Sequence, residues 1–431
     1  MSTHDRTPES TDDVVRYVTT CRVCGSEEWQ EVVSFGEVPL ANGFLEVTDS
    51  VAQERAYPLE VISCRECRLL SLTAVVDPQV LYRTYSYVTS DSETMARHMR
   101  TVAELARDRY GLAEGDLVVE LGSNTGDQLL AFREAVGARV LGVDPARNLA
   151  RIAEDRGVPT LPDYFDSATA RAVAGEHGKA SLILGRHVFA HIDDVADVLA
   201  GARELLTEDG LFTIEVPYAV DLVERLAFDT IYHEHLSYFL ISTLDRLFSR
   251  HGLRTVDVER LAVHGGSVLV SAGRADGRWQ TSERVRELIA AERDGGYLSD
   301  ARYEAFATRV RRTCADLTAL VRGLVAQGHR VAGYGASAKG TTLLNICGLS
   351  SEELEFCTDT TPQKQGRLTP GTHIPVLAPG DVTEQPDYYL LLAWNYAEEI
   401  LAKESRFLNE HGGFIVPVPE PTVRTGAVSA K

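Results

Sequence analysis

Three observations predict an α/β chain built from three units. Two C-x-x-C pairs, Cys21/Cys24 and Cys64/Cys67, lie near the start. Two apolar strands each run straight into a glycine turn and a helix, one at Gly122 and one at Gly333. Between and after them, short apolar runs alternate with helical patterns, which is how parallel sheets covered by helices are written in sequence. The expected boundaries are 1–80 for a small cysteine-knuckle unit, then 81–300 and 301–431 for two parallel-sheet α/β domains. A chain of 431 residues has room for about three domains. Its 44% apolar content fits ordinary globular cores.

Composition excludes several classes. A formal net charge of -20 argues against a nucleic-acid partner, which would want a basic face. No apolar run reaches the roughly 18 residues of a membrane span. The N-terminal stretch is rich in Ser, Thr and Asp without an apolar signal region, so the cytoplasm is the expected compartment. Seven cysteines, an odd number, argue against a disulfide framework. Oligomeric state is not fixed by the sequence, and a monomer is compatible with it.

The cysteine pairs come first. Two knuckles can close a tetrahedral thiolate site around zinc, and Gly25 supplies the tight turn after the first. A redox C-x-x-C would need a βαβ context, and none surrounds these. Four thiolates leave no open position, so Cys21, Cys24, Cys64 and Cys67 are expected to hold a structural Zn2+. Cys314, Cys347 and Cys357 are isolated and read as core residues. The following stretch, 81–99, is polar and aromatic. It reads as a linker whose tyrosines (Tyr82, Tyr85, Tyr87) either pack two units together or line a pocket, with Ser90 to Ser92 able to cap the next helix.

Val118 to Gly126 reads as a buried strand, a glycine turn and the start of a helix. Leu141-Gly142-Val143-Asp144 is the next strand and ends in an acid that can take both hydroxyls of a ribose. Neither G-x-G-x-x-G nor a P-loop fits here. Glu120 and Asp127 would repel a pyrophosphate but suit a ligand carrying an amino group and a sulfonium. The stretch resembles motif I of the class I S-adenosylmethionine (SAM) methyltransferases, with Asp144 as the ribose acid. In those proteins the loop equivalent to Pro162–Phe165 meets the adenine.

Ala180 to Gly185 is a central strand, and the loop after it carries His187 and His191 where ligands of open α/β sheets sit. His191 reads equally well as a helix-start histidine. Leu211 to Pro217 is the next strand, after a turn at Asp209-Gly210. The run Phe228 to Phe239 then packs two imidazoles, a carboxylate and two phenols into residues 232 to 238. That many titratable groups are costly to bury without a purpose. Acid/base catalysis is the better reading, histidine being the best-matched base at neutral pH.

His264 to Val270 reads as a turn into a strand, and 281–328 as helical with one apolar face. Gly333-Tyr334-Gly335-Ala336-Ser337-Ala338 matches G-x-G-x-x-A between a strand and a helix, with Leu354 to Asp359 as a second strand ending in an acid. This turn could take NAD, or the diphosphate of a substrate at the helix N-terminus. Lys364 and Arg367 add cations nearby. The last strand is read over Tyr388 to Tyr396.

Taken in this order, the motifs resemble the nucleotide-sugar C-methyltransferases of deoxysugar pathways in antibiotic-producing bacteria. The two knuckles, Glu120–Gly126, Val188–Asp194, Phe228–Phe239, His264–Ser267, Gly333–Lys339, Lys364–Arg367 with Pro370–Pro375, and Ala393-Trp394-Asn395 carry the resemblance. It implies an N-terminal zinc domain, a class I SAM methyltransferase domain of Rossmann-like fold, and a second, C-terminal Rossmann-like domain that binds no dinucleotide. It further implies methyl transfer to C3 of a dTDP-linked 4-keto sugar. His235 would be the base, with Glu234, Tyr232, His191 and Tyr87 around it. SAM would lie against Glu120, Gly122, Ser123, Asn124, Thr125, Gly126, Asp144, Pro145, Asp163 and His187. The sugar nucleotide would meet Tyr334, Ser337, Lys339, Lys364, Arg367 and Asn395. The competing readings are an O- or N-methyltransferase, an NAD-dependent oxidoreductase, and a zinc-containing binding protein without activity.

Overall fold

The computed structural model describes residues 14–49, 51–82, 93–261 and 265–426. Its largest sheet has seven strands, in the order Leu253–Leu261, Ser267–Arg274, Leu206–Pro217, Ala180–Arg186, Leu117–Leu121, Arg139–Val143 and Thr160–Leu161. Ser267–Arg274 runs antiparallel to both neighbours and the other pairings are parallel. Leu117–Leu121 is buried along its whole length, as a central parallel strand covered on both faces should be. Strand order reverses between Leu117–Leu121 and Ala180–Arg186, which opens a crevice at their carboxyl ends. The expected turn at Asp209-Gly210 lies inside the strand Leu206–Pro217 instead, where pairing with the neighbouring strand slips between Ala180 and Leu182.

A second sheet has six strands, in the order Val376–Leu377, Cys357–Thr358, Val331–Tyr334, Tyr388–Leu391, Gly413–Val416 and Thr422–Thr425, with the last one antiparallel. The helix Ala338–Cys347 follows the glycine turn as the motif requires. Two expected strands are shorter than read: only Cys357–Thr358 of the first is extended, and Tyr388–Leu391 of the second. Trp394–Tyr396 forms a 3-10 turn, and two further strands follow it. The helical stretch 281–328 is two helices, Glu283–Asp294 and Asp300–Ala326. They part at Gly295-Gly296, where Gly296 takes φ 77 and helix cannot continue. On the longer helix Tyr303, Phe306, Val310 and Leu317 are buried, as the apolar stripe demands.

The N-terminal sheet is where expectation and structure differ most. Its four antiparallel strands run Ser237–Tyr238, Leu70–Leu72, Ala56–Cys64 and Trp29–Pro39. The run around His235, read as part of the middle unit, therefore supplies an edge strand to the cysteine unit's sheet. Leu45–Glu46 pairs in turn with Arg367–Leu368 of the C-terminal unit. One apolar core joins all of these, from Val33, Leu59 and Leu72 through Phe228 and Leu240 to Leu343, Ile374 and Leu390. Cys347 and Cys357 are buried and Cys314 is half-buried. Among the described residues, no helix is long and apolar enough to cross a membrane.

Candidate active site

The two cysteine knuckles are copies of one another. Gly25 and Arg68 both adopt left-handed backbone, at φ 76 and 62, and donate their N–H to the carbonyls of Cys21 and Cys64. The N–H groups of Cys21 and Cys64 reach the carbonyls of Ser26 and Leu69. All four sulfurs lie within 4.8 Å of one another. The pairs Cys21/Cys67 and Cys24/Cys64 stand at 3.5 Å. A tetrahedral site with Zn–S of about 2.3 Å has edges of about 3.8 Å, so the cluster fits zinc with little movement. The Cys67 thiol, hydrogen-bonded to Cys21, pulls the Cys21 thiol down to about 5. The same hydrogen bond pushes the Cys67 thiol up in turn.

The knuckles also brace the loop that carries His191. Arg22, between the first two cysteines, donates to Asp193 at 2.8 Å and to Ser71 at 2.6 Å. Thr243 and Arg246 donate to the carbonyls of Cys67 and Glu66.

The crevice of the seven-stranded sheet is lined by the first glycine loop. Gly122, Asn124 and Gly126 have φ of 62, 50 and 79, left-handed backbone that makes the turn tight. A Cβ on Gly122 would lie 2.9 Å from Val188, and one on Gly126 3.0 Å from Val158. Asp144 accepts from the N–H of Asn124 at 2.8 Å and of Ala146 at 2.9 Å, so it holds the loop and its own turn together. Burial outweighs both donors and raises its pKa. Glu120 is buried with one carboxylate oxygen unpartnered, and burial pushes its pKa up to about 8. An orphaned buried carboxylate of this kind fits the ammonium and sulfonium of SAM. The Ser123 hydroxyl packs over Gly142 and Thr160, and Thr125 bonds Asp127. Asp127, expected to face the ligand, is held by Arg156 at 2.6 Å. Pro145 follows Asp144 in its turn, and Asp163 is exposed on the next loop.

His187 sits at the end of the central strand in left-handed backbone, φ 52. Its Nε2 lies 3.0 Å from Glu215, which also contacts His98 at 2.9 Å and Arg186 at 3.1 Å. Burial works against the Glu215 charge, but these three partners outweigh it and keep the group ionised.

His235 is buried beside this crevice. Its Nδ1 stands 2.7 Å from the Thr230 carbonyl, which can only accept, so Nδ1 carries the proton. The lone pair on Nε2 accepts from the Tyr232 hydroxyl at 3.0 Å. Burial, then His191, holds the imidazole well below its ordinary pKa. The His191 ring is 5.1 Å from that of His235 and stacks on Tyr82, whose hydroxyl reaches His191 Nδ1 at 3.2 Å. Burial lowers His191 to about 3. Glu234 accepts from Asn42 of the N-terminal unit at 2.6 Å. His233 points the other way, into the sheet, with Nε2 3.2 Å from the Tyr57 carbonyl. Tyr87 and His264 lie outside the described residues.

The sequence comparison decides the family. Over 412 residues the chain is 50% identical to C-methyltransferase NovU of Streptomyces niveus, covering 95% of this chain and 98% of that protein. The chain belongs to this C-methyltransferase family. Three family models match in succession: a zinc binding domain at 21–82, a methyltransferase domain at 95–258 and a C-methyltransferase C-terminal domain at 262–419. Two solved structures show partial likeness. SAM-bound magnesium protoporphyrin IX methyltransferase from Synechocystis is 11% identical, covering 42% of this chain and 79% of that one, with TM-score 0.32. A 1,6-didemethyltoxoflavin-N1-methyltransferase from Burkholderia thailandensis is 22% identical, covering 43% and 82%, also with TM-score 0.32.

This C-methyltransferase uses SAM and carries a zinc-binding domain, which displaces the oxidoreductase, O- or N-methyltransferase and inactive-binder readings. Its second glycine loop lies close to the run Phe228–Phe239. Trp394 donates to Asp229 at 2.5 Å, and Lys339 stands over the Trp394 ring at 5.9 Å. A Cβ on Gly265 would be 3.6 Å from Lys339 Nζ and from that ring, and 3.9 Å from Asn395. The other residues expected at substrate have polar groups engaged within the protein. Ser337 caps its helix by accepting from Gly340, Tyr334 bonds Glu404, Arg367 pairs with Glu46, and Lys364 sits between Asp359 and the Ala336 carbonyl.

Sequence reading missed Asn42, Glu215 and Asp229. Glu215 carried a usable signal, the one acid in the stretch Leu211–Pro217. Asn42 carried none, because its partner lies 192 positions away.

Proposed function

We propose that the enzyme methylates C3 of a dTDP-linked 4-keto deoxyhexose through an enolate, with His235 as base, in deoxysugar assembly for an antibiotic. The His235 imidazole carries this reading. It is fixed as the Nδ1–H tautomer by Thr230, and its Nε2 lone pair meets the Tyr232 hydroxyl. Carbon becomes nucleophilic when a neighbouring carbonyl acidifies its proton, so a C-methyltransferase with a buried histidine base calls for a ketone beside the target carbon. SAM, when bound, supplies the methyl group.

The arrangement supports each role. His235 stays neutral at physiological pH and is ready to accept a proton. Substrate takes the place of the Tyr232 hydroxyl at Nε2, and the released phenol donates to a substrate oxygen. Asn42 keeps the Glu234 carboxylate turned toward the N-terminal unit. Glu120, Asp144 and the loop Gly122–Gly126 hold the cofactor, and the C-terminal unit, with Lys339 and Asn395 at Gly265, faces the nucleotide sugar.

The test is incubation with SAM and dTDP-4-keto sugars, with the new methyl located by NMR. A methyl on C3 is expected. A methyl on oxygen or nitrogen, or on a carbon with no adjacent ketone, would refute the proposal.

A further inference from the structure

A low-pKa base sharpens the problem of deprotonating carbon. The weaker the base, the more the negative charge left behind must be stabilised, and a fixed charge in a dry site does this best. Tyr232 and His191 are neutral, so such a charge has to come from a cation on another element.

Lys339 answers that description. It is the second residue of the helix Ala338–Cys347, and its ammonium stands over the Trp394 ring. The residue as a whole is half-buried, while its ammonium is buried enough for desolvation to lower its pKa. Gly265 approaches it on one side and the Trp394 ring on another. Its countercharge is Asp229, which is 0% exposed and leaves one carboxylate oxygen without a partner, the other being taken by Trp394. Attraction between the two opposes the burial that lowers the Lys339 pKa. Asp229 directly precedes Thr230, whose carbonyl fixes the His235 tautomer. A single 3-10 turn, Phe228–Thr230, thus sets both the base and the cation.

Resting on the keto-sugar reading above, we propose that Lys339 is a catalytic residue that stabilises the enolate oxygen, and that Asp229 is its positioning residue. In that step the C3–H bond breaks and its proton goes to His235 Nε2. The C–H electron pair becomes the C3–C4 double bond, and the carbonyl π pair moves onto the C4 oxygen facing the Lys339 ammonium. Lys339 keeps its proton throughout. The competing role for the same ammonium is a ligand of the substrate's diphosphate. The geometry favours the oxygen near the base. Lys339 stands over the Trp394 ring that donates to Asp229, the residue before Thr230, whereas two donors at the glycine loop, the N–H groups of Gly335 and Ala336, are already engaged by Thr358 and Asp359.

The experiment follows deuterium wash-in at C3 of the 4-keto sugar, in heavy water with S-adenosylhomocysteine present, alongside calorimetry with dTDP alone. Lys339→Met should lower the exchange rate at saturating sugar by about 10²–10³-fold, as for removal of an oxyanion donor. Its affinity for dTDP should stay within about threefold of wild type, and its melting temperature should confirm folding. Asp229→Asn should also slow exchange, yet cost nothing further in the Lys339→Met background, because it acts through Lys339. Exchange unchanged in a folded Lys339→Met enzyme overturns the proposal. So does dTDP affinity that falls while saturated exchange survives, or strictly additive losses in the double variant. A wild type that exchanges nothing would instead overturn the keto-sugar reading on which this rests.

Discussion

Removing the zinc site should disable chemistry while sparing the cofactor. Cys64→Ser takes away one of four thiolates at the buried end of the strand Ala56–Cys64. Structural zinc sites are worth about 10–16 kcal/mol in small domains, as much as the whole stability of a domain at about 5–15 kcal/mol. The local consequences can be followed along the chain. Cys67 lies three residues before Leu70–Leu72, the strand that pairs with Ser237–Tyr238 just beyond His235. Arg22 ties the first knuckle to Asp193, two residues past His191. Both histidines therefore lose their support together. The crevice residues Glu120, Gly122 and Asp144 belong to other elements, so affinity for SAM should stay within about twofold. Hydrogen exchange by mass spectrometry should show 228–239 deprotected, and metal analysis should show zinc falling from about one per chain toward none. A zinc-free protein that keeps both its protection at 228–239 and full turnover would refute this reasoning.

The remaining predictions concern the cofactor and the base. Glu120, with its pKa pushed up by burial to about 8, is mostly protonated at pH 7, and a bound ammonium should ionise it. SAM binding should then release close to one proton at pH 7 and almost none at pH 9, as read by calorimetry in buffers of different ionisation enthalpy; Glu120→Gln should abolish the release. The sign for stability follows from the same shift. A carboxyl raised from 4.5 to about 8 by folding destabilises the free enzyme increasingly as pH rises through that window. Asp144→Ala removes the acceptor of two loop N–H groups and the expected ribose partner, so it should weaken SAM at least about tenfold and also lower the melting temperature, each charged hydrogen bond being worth roughly 1.5–3 kcal/mol. His235→Asn should lose deuterium wash-in and methyl transfer together while binding SAM normally, and His233→Asn should keep more of both, since His233 serves the sheet at Tyr57.

Much of this was legible in the chain, for identifiable reasons. The knuckles and glycine turns are local, and their spacing states their geometry. The central strands of the seven-stranded sheet followed from apolar runs ending at Gly122, Asp144 and Gly185, while its edge strand Leu253–Leu261 was not read. What could not be read was which unit each segment joins. Ser237–Tyr238 lies among strands of the middle unit in sequence but pairs with Leu70 and Ser71, because the sheet edge it completes is apolar on its inner face. The same blindness hid Asn42 and Asp229, whose partners Glu234 and Trp394 are far away in sequence. Helix 281–328 was overextended because periodicity persisted across Gly295-Gly296, where backbone conformation decides.

The two glycine loops differ in what stands beside the acid, and that bears on NAD binding. Their frames are alike. Gly122 N–H meets the Val143 carbonyl and Gly335 N–H the Thr358 carbonyl. Asp144 accepts from Asn124 and Ala146, and Asp359 accepts from Ala336 and Thr361, each acid bracing its loop and its own turn. Burial outweighs the two donors at Asp144 and raises its pKa. Burial acts on Asp359 too, but Lys364 and two N–H groups outweigh it and hold the carboxyl low. The Lys364 ammonium stands 3.7 Å from that carboxylate and 2.9 Å from the Ala336 carbonyl, under the Phe44 ring. A dinucleotide ribose would need the place that Lys364 fills. Calorimetry should therefore show no NAD binding to the wild type. Measurable affinity, lost on Gly335→Val, would mean that Lys364 swings aside and that the second loop is a dinucleotide site after all.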